Sequence, residues 1–222
     1  MNLSSHNLAR ALPLLILAIL ASPVAAESSS RAGIGAIPYS EDGETGVTFR
    51  VWAPNATAVG VAGSFNSWNP FSMLLTPEGD GYFSRDVSTA EAGDGYQWVI
   101  LNGDDTLWKN DPRARQLTNS SGHSIIVDHG SYEWSANDYT PPAWNEMVIY
   151  ETHVGTFGLE EGDEVPGDFN GTLAHLDHLQ SLGVNVIELM PLCEFPGDIS
   201  WGYNPSYPFA VESAYGTPDQ LK

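Results

Sequence analysis

Val47-Thr48-Phe49-Arg50-Val51-Trp52-Ala53-Pro54-Asn55 decides how the front of this chain folds. Val47, Phe49 and Val51 alternate with Thr48, Arg50 and Trp52, the period of a strand with one face in a core. Pro54-Asn55 ends it with turn chemistry. Outward from there, Val59 and Val61, Tyr82-Phe83, Tyr96 to Ile100 and Ser124 to Val127 continue the series. Asn69-Pro70, Pro77-Glu78-Gly79, Gly93-Asp94-Gly95 and Asn102-Gly103 punctuate it. Short strands about ten residues apart predict an all-β, immunoglobulin-like antiparallel sandwich over 40–135. Residues 27–39, Ser- and Gly-containing and without a pattern, predict a flexible lead-in.

Behind the sandwich the pattern changes class. Tyr139-Thr140-Pro141-Pro142-Ala143 gives 136–146 the character of a stiff linker. Met147-Val148-Ile149-Tyr150 then reads as a short apolar strand. Leu173, Leu176, Leu179 and Leu182 form the apolar face of a helix, with Gly183 in the position of a C′ glycine. Val184 to Leu189 is a second apolar strand. Strand, helix and apolar strand make a βαβ unit and imply a parallel sheet buried on both faces. Two strands cannot bury both faces, so this architecture calls for more chain, and the apolar strands at 147–150 and 184–190 are expected to be sticky.

Composition limits the partners. Against 28 acidic residues stand 8 basic ones, a net charge of −20. Such a surface repels nucleic acid and anionic lipid and suits a neutral ligand. At the N-terminus, Arg10, the apolar run Ala11 to Leu20 and the small residues Val24-Ala25-Ala26 have the three parts of a secretory signal peptide, 1–26. The expectation is an exported chain, periplasmic or extracellular, with no membrane contact after cleavage. Cys193 is the only cysteine, so no disulfide within the chain can staple the sandwich. His175 and His178, three apart on a helix, lack a third ligand; no metal and no cofactor is expected.

The chemistry rests on aromatic rings. The flat C–H faces of a sugar stack on Trp and Tyr, while amides and carboxyls take its hydroxyls. Gly63-Ser64-Phe65-Asn66-Ser67-Trp68-Asn69 sets Trp68 in a loop beside Asn66, and Leu107-Trp108-Lys109-Asn110-Asp111-Pro112 sets Trp108 in a polar loop beside Asn110. Trp98, mid-strand with Tyr96 and Ile100 on its face, belongs in the core.

Phe49 to Ala56, Val61 to Trp68, Gly81-Tyr82-Phe83 and Tyr96-Gln97-Trp98, in this order, resemble the family-48 carbohydrate-binding module, the β-sandwich ahead of glycogen-branching and debranching enzymes. The resemblance implies that Trp68 and Trp108 stack on maltooligosaccharide. Gln97, where binders often carry Lys, and His123-Ser124, near a usual Asn, depart from the pattern. Met147 to Phe157, Gly171-Thr172-Leu173, Leu182 to Pro191, Trp201-Gly202-Tyr203-Asn204-Pro205 and Tyr215 to Lys222 are similar to the opening of the (β/α)₈ barrel of glycoside hydrolase family 13, the α-amylase family, in its branching-enzyme subgroup.

That second resemblance implies a sugar-stacking role for Tyr203, with Trp201 beside it, and a floor shaped by Glu151, His153 and Glu188. It also places the family's three catalytic carboxylates on later strands, so no catalytic residue is expected here. The expected function is the N-terminal portion of an exported α-glucan-acting enzyme, most like a 1,4-α-glucan branching enzyme and inactive alone. An α-amylase or debranching-type parent, a non-catalytic glycan-binding module and an inert structural module stay open. The expected partner is glycogen, starch or maltooligosaccharide.

Overall fold

A computed structural model describes residues 27–135, 138–163 and 165–222. The expected signal peptide lies outside the described residues, as do two residues of the linker. The front half contains β1 (Gly35–Glu41), β2 (Glu44–Trp52), β3 (Ala58–Gly63), β4 (Thr76–Gly79), β5 (Tyr82–Val87), β6 (Gly95–Asn102), β7 (Asp105–Lys109), β8 (Gln116–Leu117) and β9 (Ser124–Ile125). One antiparallel sheet runs β1-β2-β5-β4. The other runs β3-β6-β9-β8, with β7 also on β6. Val47, Phe49 and Val51 from the first sheet meet Val59, Val61, Tyr96 and Trp98 from the second in one buried core. The alternation in the quoted stretch is therefore the alternation of core and outer face, and Trp98 is a core residue.

Two expectations are corrected. The lead-in is not free: the backbone of 29–33 lies across the outer face of the first sheet, pinned by Arg50. Its guanidinium donates to the carbonyls of Ser29, Arg31 and Gly33 while pairing with Glu78. Ser29 N donates to the buried Ser84 hydroxyl at 2.8 Å, and Arg31 pairs with Asp86. Hydropathy patterning is blind to such a strap, because a guanidinium gripping carbonyls leaves no apolar period. The sandwich accordingly begins at Gly35 rather than at residue 40. Nor does Trp108 lie in a loop: it sits on edge strand β7, opposite Val99.

The second half contains β10 (Ile149–Thr152), α1 (Phe169–Ala174), α2 (Leu176–Ser181), β11 (Val186–Leu189), β12 (Cys193–Glu194), β13 (Tyr207–Val211) and α3 (Pro218–Leu221). β10 and β11 pair in parallel, Ile149 with Val186 through Thr152 with Leu189, as the βαβ pattern requires. The helix between them is broken at His175, whose ring donates to Gly171 O, the carbonyl its own amide would take in a continuous helix. The leucine face is divided in consequence: Leu179 is buried, whereas Leu173 and Leu182 are exposed. Gly183 closes α2 at φ +86°, a left-handed conformation that suits glycine. Val148, Ile149 and Tyr150 stay exposed, in line with the unburied strand faces expected from the sequence.

The two halves are bridged. Ala114 and Leu117 pack with Ala210 and Tyr207. Val211 N donates to Arg115 O at 3.1 Å, Gly197 N to Ser120 Oγ at 3.0 Å, and Asn110 Nδ2 to the Tyr207 hydroxyl at 3.2 Å.

Candidate functional site

The first aromatic surface is the outer face of the second sheet. Tyr96, Trp98 and Ile100 point into the core, so Gln97 and Val99 point out. Directly paired residues share a face, which puts Trp108 beside Val99, about 7 Å along the strand from Gln97. Gln97 Nε2 donates to Asn110 Oδ1 at 2.8 Å, and Asn110 Nδ2 donates to Gly122 O at 2.7 Å. Trp68 joins from the other side, edge-on to His123 with ring centroids 4.9 Å apart. His123 lies over Gly95, where any Cβ would collide with the imidazole. Trp68, His123, Gln97, Asn110 and Trp108 thus form one outward patch, with Trp108 40% exposed.

Asn66 has a different task. Its Oδ1 accepts from Gly63 N, and its Nδ2 faces Val61 O, Asn69 O and Ser72 Oγ. The amide is spent on the turn that lifts Trp68 to a φ of +57°. Asn66 therefore braces the loop, and Asn110 likewise uses its amide within the protein. Sequence reading missed the ring contact of His123, because proximity across five intervening strands leaves no local signal.

The second surface is the excursion 195–206 between β12 and β13. Trp201 and Tyr203 project from it, 72% and 67% exposed, on either side of buried Gly202. Gly202 has φ +83°, and a Cβ there would run into the Pro191 carbonyl. Val154, Phe169, Phe195 and Tyr215 form a small core beneath. At the base lie Glu194 and Glu212, both fully buried. Glu194 Oε2 accepts from Ser213 N at 2.8 Å. Glu212 accepts from Phe195 N and Ala214 N, each at 3.0 Å. A buried carboxylate pair suggests a glycosidase dyad, but three of these oxygens are taken by backbone amides and the fourth, Glu194 Oε1, by the Ser213 hydroxyl; the pair staples the loop. Glu151 and Glu188, paired across β10 and β11, are exposed. Among the described residues, no cluster of three or more His, Cys, Asp or Glu could hold a metal ion. Nor is any helix among them long and apolar enough to cross a membrane.

Burial sets the titration. It raises the carboxyls of Asp111, Glu194 and Glu212 above their ordinary 3.8, 4.5 and 4.5. A raised folded value means that the native state binds protons more tightly, so this stability is full below the ordinary value and is lost as pH rises through the folded one. Glu78, held down chiefly by the Arg50 guanidinium, behaves oppositely. So does Asp86, where hydrogen bonds and Arg31 outweigh burial. Their stability is lost as pH falls below the ordinary range. The expected result is a melting temperature that peaks near roughly pH 5 and falls toward pH 8. Circular-dichroism melts from pH 4 to 8 check this; a midpoint at pH 8 equal to or above that at pH 5 would overturn it.

Residues 34–114 match the model of carbohydrate-binding module 48, the isoamylase N-terminal domain. The chain is similar to the 1,4-alpha-glucan branching enzyme GlgB of Halothermothrix orenii, 37% identical over 206 residues, covering 85% of this chain and 31% of that protein. It is also similar to the malto-oligosyltrehalose trehalohydrolase of Saccharolobus solfataricus, 34% identical, covering 81% of this chain and 30% of that protein. The chain thus spans about a third of the length of these curated relatives. Among solved structures, a Salmonella typhimurium protein assigned as an alpha amylase superposes with a TM-score of 0.71 at 35% identity, covering 85% of this chain and 30% of that one. Pullulanase type I of Bacillus subtilis, solved with maltose, gives a TM-score of 0.67 at 27% identity, covering 85% and 29%.

Proposed function

We propose that this chain, which carries a carbohydrate-binding module 48 and is similar along most of its length to GlgB branching enzymes and other amylase-family proteins, is the N-terminal portion of an exported α-glucan-acting enzyme. The finer assignment is 1,4-α-glucan branching, by retaining cleavage and transfer. The segment 147–222 is the opening of the enzyme's (β/α)₈ barrel, and β10, the interrupted helix and β11 are its first βαβ unit. Export rests on the sequence of residues 1–26. No catalytic carboxylate is assigned here, since the buried pair at the loop base is occupied by backbone amides and the Ser213 hydroxyl.

One observation carries the glucan reading: two separate aromatic surfaces, the module with exposed Trp108 and half-buried Trp68 and the 195–206 loop with exposed Trp201 and Tyr203, set rings beside polar groups in a chain bridged at Asn110–Tyr207 and Ser120–Gly197. In an acidic protein, stacking on neutral sugar is the chemistry such rings offer. Affinity electrophoresis through glycogen-loaded gels tests it. The chain is expected to be retarded, and Trp68→Ala with Trp108→Ala to weaken the module's binding by about a hundredfold, roughly tenfold for each lost stacking ring. Migration unaffected by glycogen, or retardation that survives the double substitution unchanged, would remove the module from the reading. The chain alone is expected to release no reducing sugar from amylose.

A further inference from the structure

One group in the second half is engaged more fully than a spacer requires. His153, just past the end of β10, reaches across to the 195–206 loop: its Nε2 lies 2.8 Å from Ser200 O. A carbonyl oxygen can only accept, so Nε2 carries the proton. The Tyr215 hydroxyl, 2.9 Å from the same nitrogen, cannot then donate to it and turns its proton to the same carbonyl at 3.3 Å. On the far side of the ring, Nδ1 accepts from the Thr156 hydroxyl at 3.1 Å. Tyr215 is buried beneath, edge-on to His153, Phe169 and Phe195. Its burial pushes the phenol up to about 12, so the donor persists at any ordinary pH.

The other side of Ser200 is held as well. Its hydroxyl donates to Asn204 Oδ1 at 2.6 Å and accepts from Gly202 N at 3.1 Å. Ser200 is therefore the fixed point of the stretch bearing Trp201 and Tyr203, and among the described residues the side chains gripping its carbonyl are His153 and Tyr215. A loop left to itself samples many conformers, and ordering its side chains on binding costs free energy that a pre-formed site avoids.

We propose that His153 is a positioning residue which, with Tyr215, clamps the Ser200 carbonyl and sets the direction in which Trp201 and Tyr203 meet a sugar ring. The identity of the ligand rests on the α-glucan reading above; the clamp itself does not. Glu151, two residues earlier within β10, is exposed and takes no part in this contact.

The test uses the chain labelled with 5-fluorotryptophan in a Trp68→Ala, Trp108→Ala background, with the Trp201 resonance assigned through Trp201→Phe. In ¹⁹F spectra, His153→Leu is expected to move the Trp201 resonance toward its unfolded position and narrow it, while the core Trp98 resonance stays in place. Maltoheptaose binding read at Trp201 is expected to weaken about tenfold or more. His153→Gln, whose amide N–H reaches the place of Nε2, is expected to restore both. An unmoved Trp201 resonance and unchanged maltoheptaose affinity in His153→Leu would overturn the clamp. A Trp201 resonance that responds to His153→Leu but ignores maltoheptaose in the parent would overturn the α-glucan reading of this loop and leave the clamp standing.

Discussion

Phe49→Ala is expected to destabilise the sandwich by about 4 kcal/mol, at the upper end for a large-to-small core change. Phe49 is fully buried and holds three aromatic neighbours: Phe65 and Tyr96, each at 5.4 Å between centroids, and Trp98 at 5.9 Å. Alanine forfeits the transfer energy of the ring, the edge-on contacts and the packing of whatever cavity fails to collapse. Phe49→Leu, which keeps most of the volume, is expected to cost less than about 2 kcal/mol. The difference has a functional reading, because Phe65 begins the turn that presents Trp68. Urea titrations of both variants, followed by near-ultraviolet circular dichroism, check the prediction. An alanine variant within about 1 kcal/mol of the parent would show that Phe49 is not the keystone of this core.

Glu212→Ala is expected to release the 195–206 loop, at a cost of about 3–5 kcal/mol to the second half of the chain. The carboxylate accepts from Phe195 N and Ala214 N inside a fully buried site, and alanine leaves both donors without a partner. Each orphaned buried donor costs about 1–3 kcal/mol, which is why the loss exceeds that of an exposed acid. Glu212→Gln keeps one acceptor oxygen and is expected to fall between the two. Limited proteolysis reads the outcome: cleavage between Phe195 and Ser206 should accelerate in the alanine variant, while the sandwich keeps its resistance. Equal cleavage rates in parent and variant would show that Glu194 and the strand pairing hold the loop alone.

Much of the architecture was legible because it is periodic. The alternation through Val47, Phe49 and Val51 located a strand and its buried face, and the apolar pair of strands around a leucine-bearing segment located a parallel unit. Glycine and proline marked the turns. The helix itself read as continuous, since four leucines at helical spacing carry no sign that the His175 ring would take the Gly171 carbonyl. The strap at 29–33 escaped notice for a related reason: its contacts run from a side chain to backbone carbonyls and have no period.

The candidate site divides in the same way. Trp68, Trp108, Trp201 and Tyr203 could be named from the sequence because an aromatic ring among polar neighbours stands out there, although Trp108 proved to lie on a strand and Trp68 to be half-buried. Their supporting groups could not. His123 packs on Trp68 from 55 positions away, Tyr207 reaches Asn110 across 97 residues, and His153 holds Ser200 across 47. The sequence by itself determined the β module, the parallel unit behind it, the acidic surface and which aromatic side chains stand ready for a sugar. Only the tertiary structure decided which polar groups remain free to bind and which are spent on holding the rings in place. The physical reason is that a hydrogen bond is assigned by distance and direction in space, and a linear chain encodes these only after it has folded.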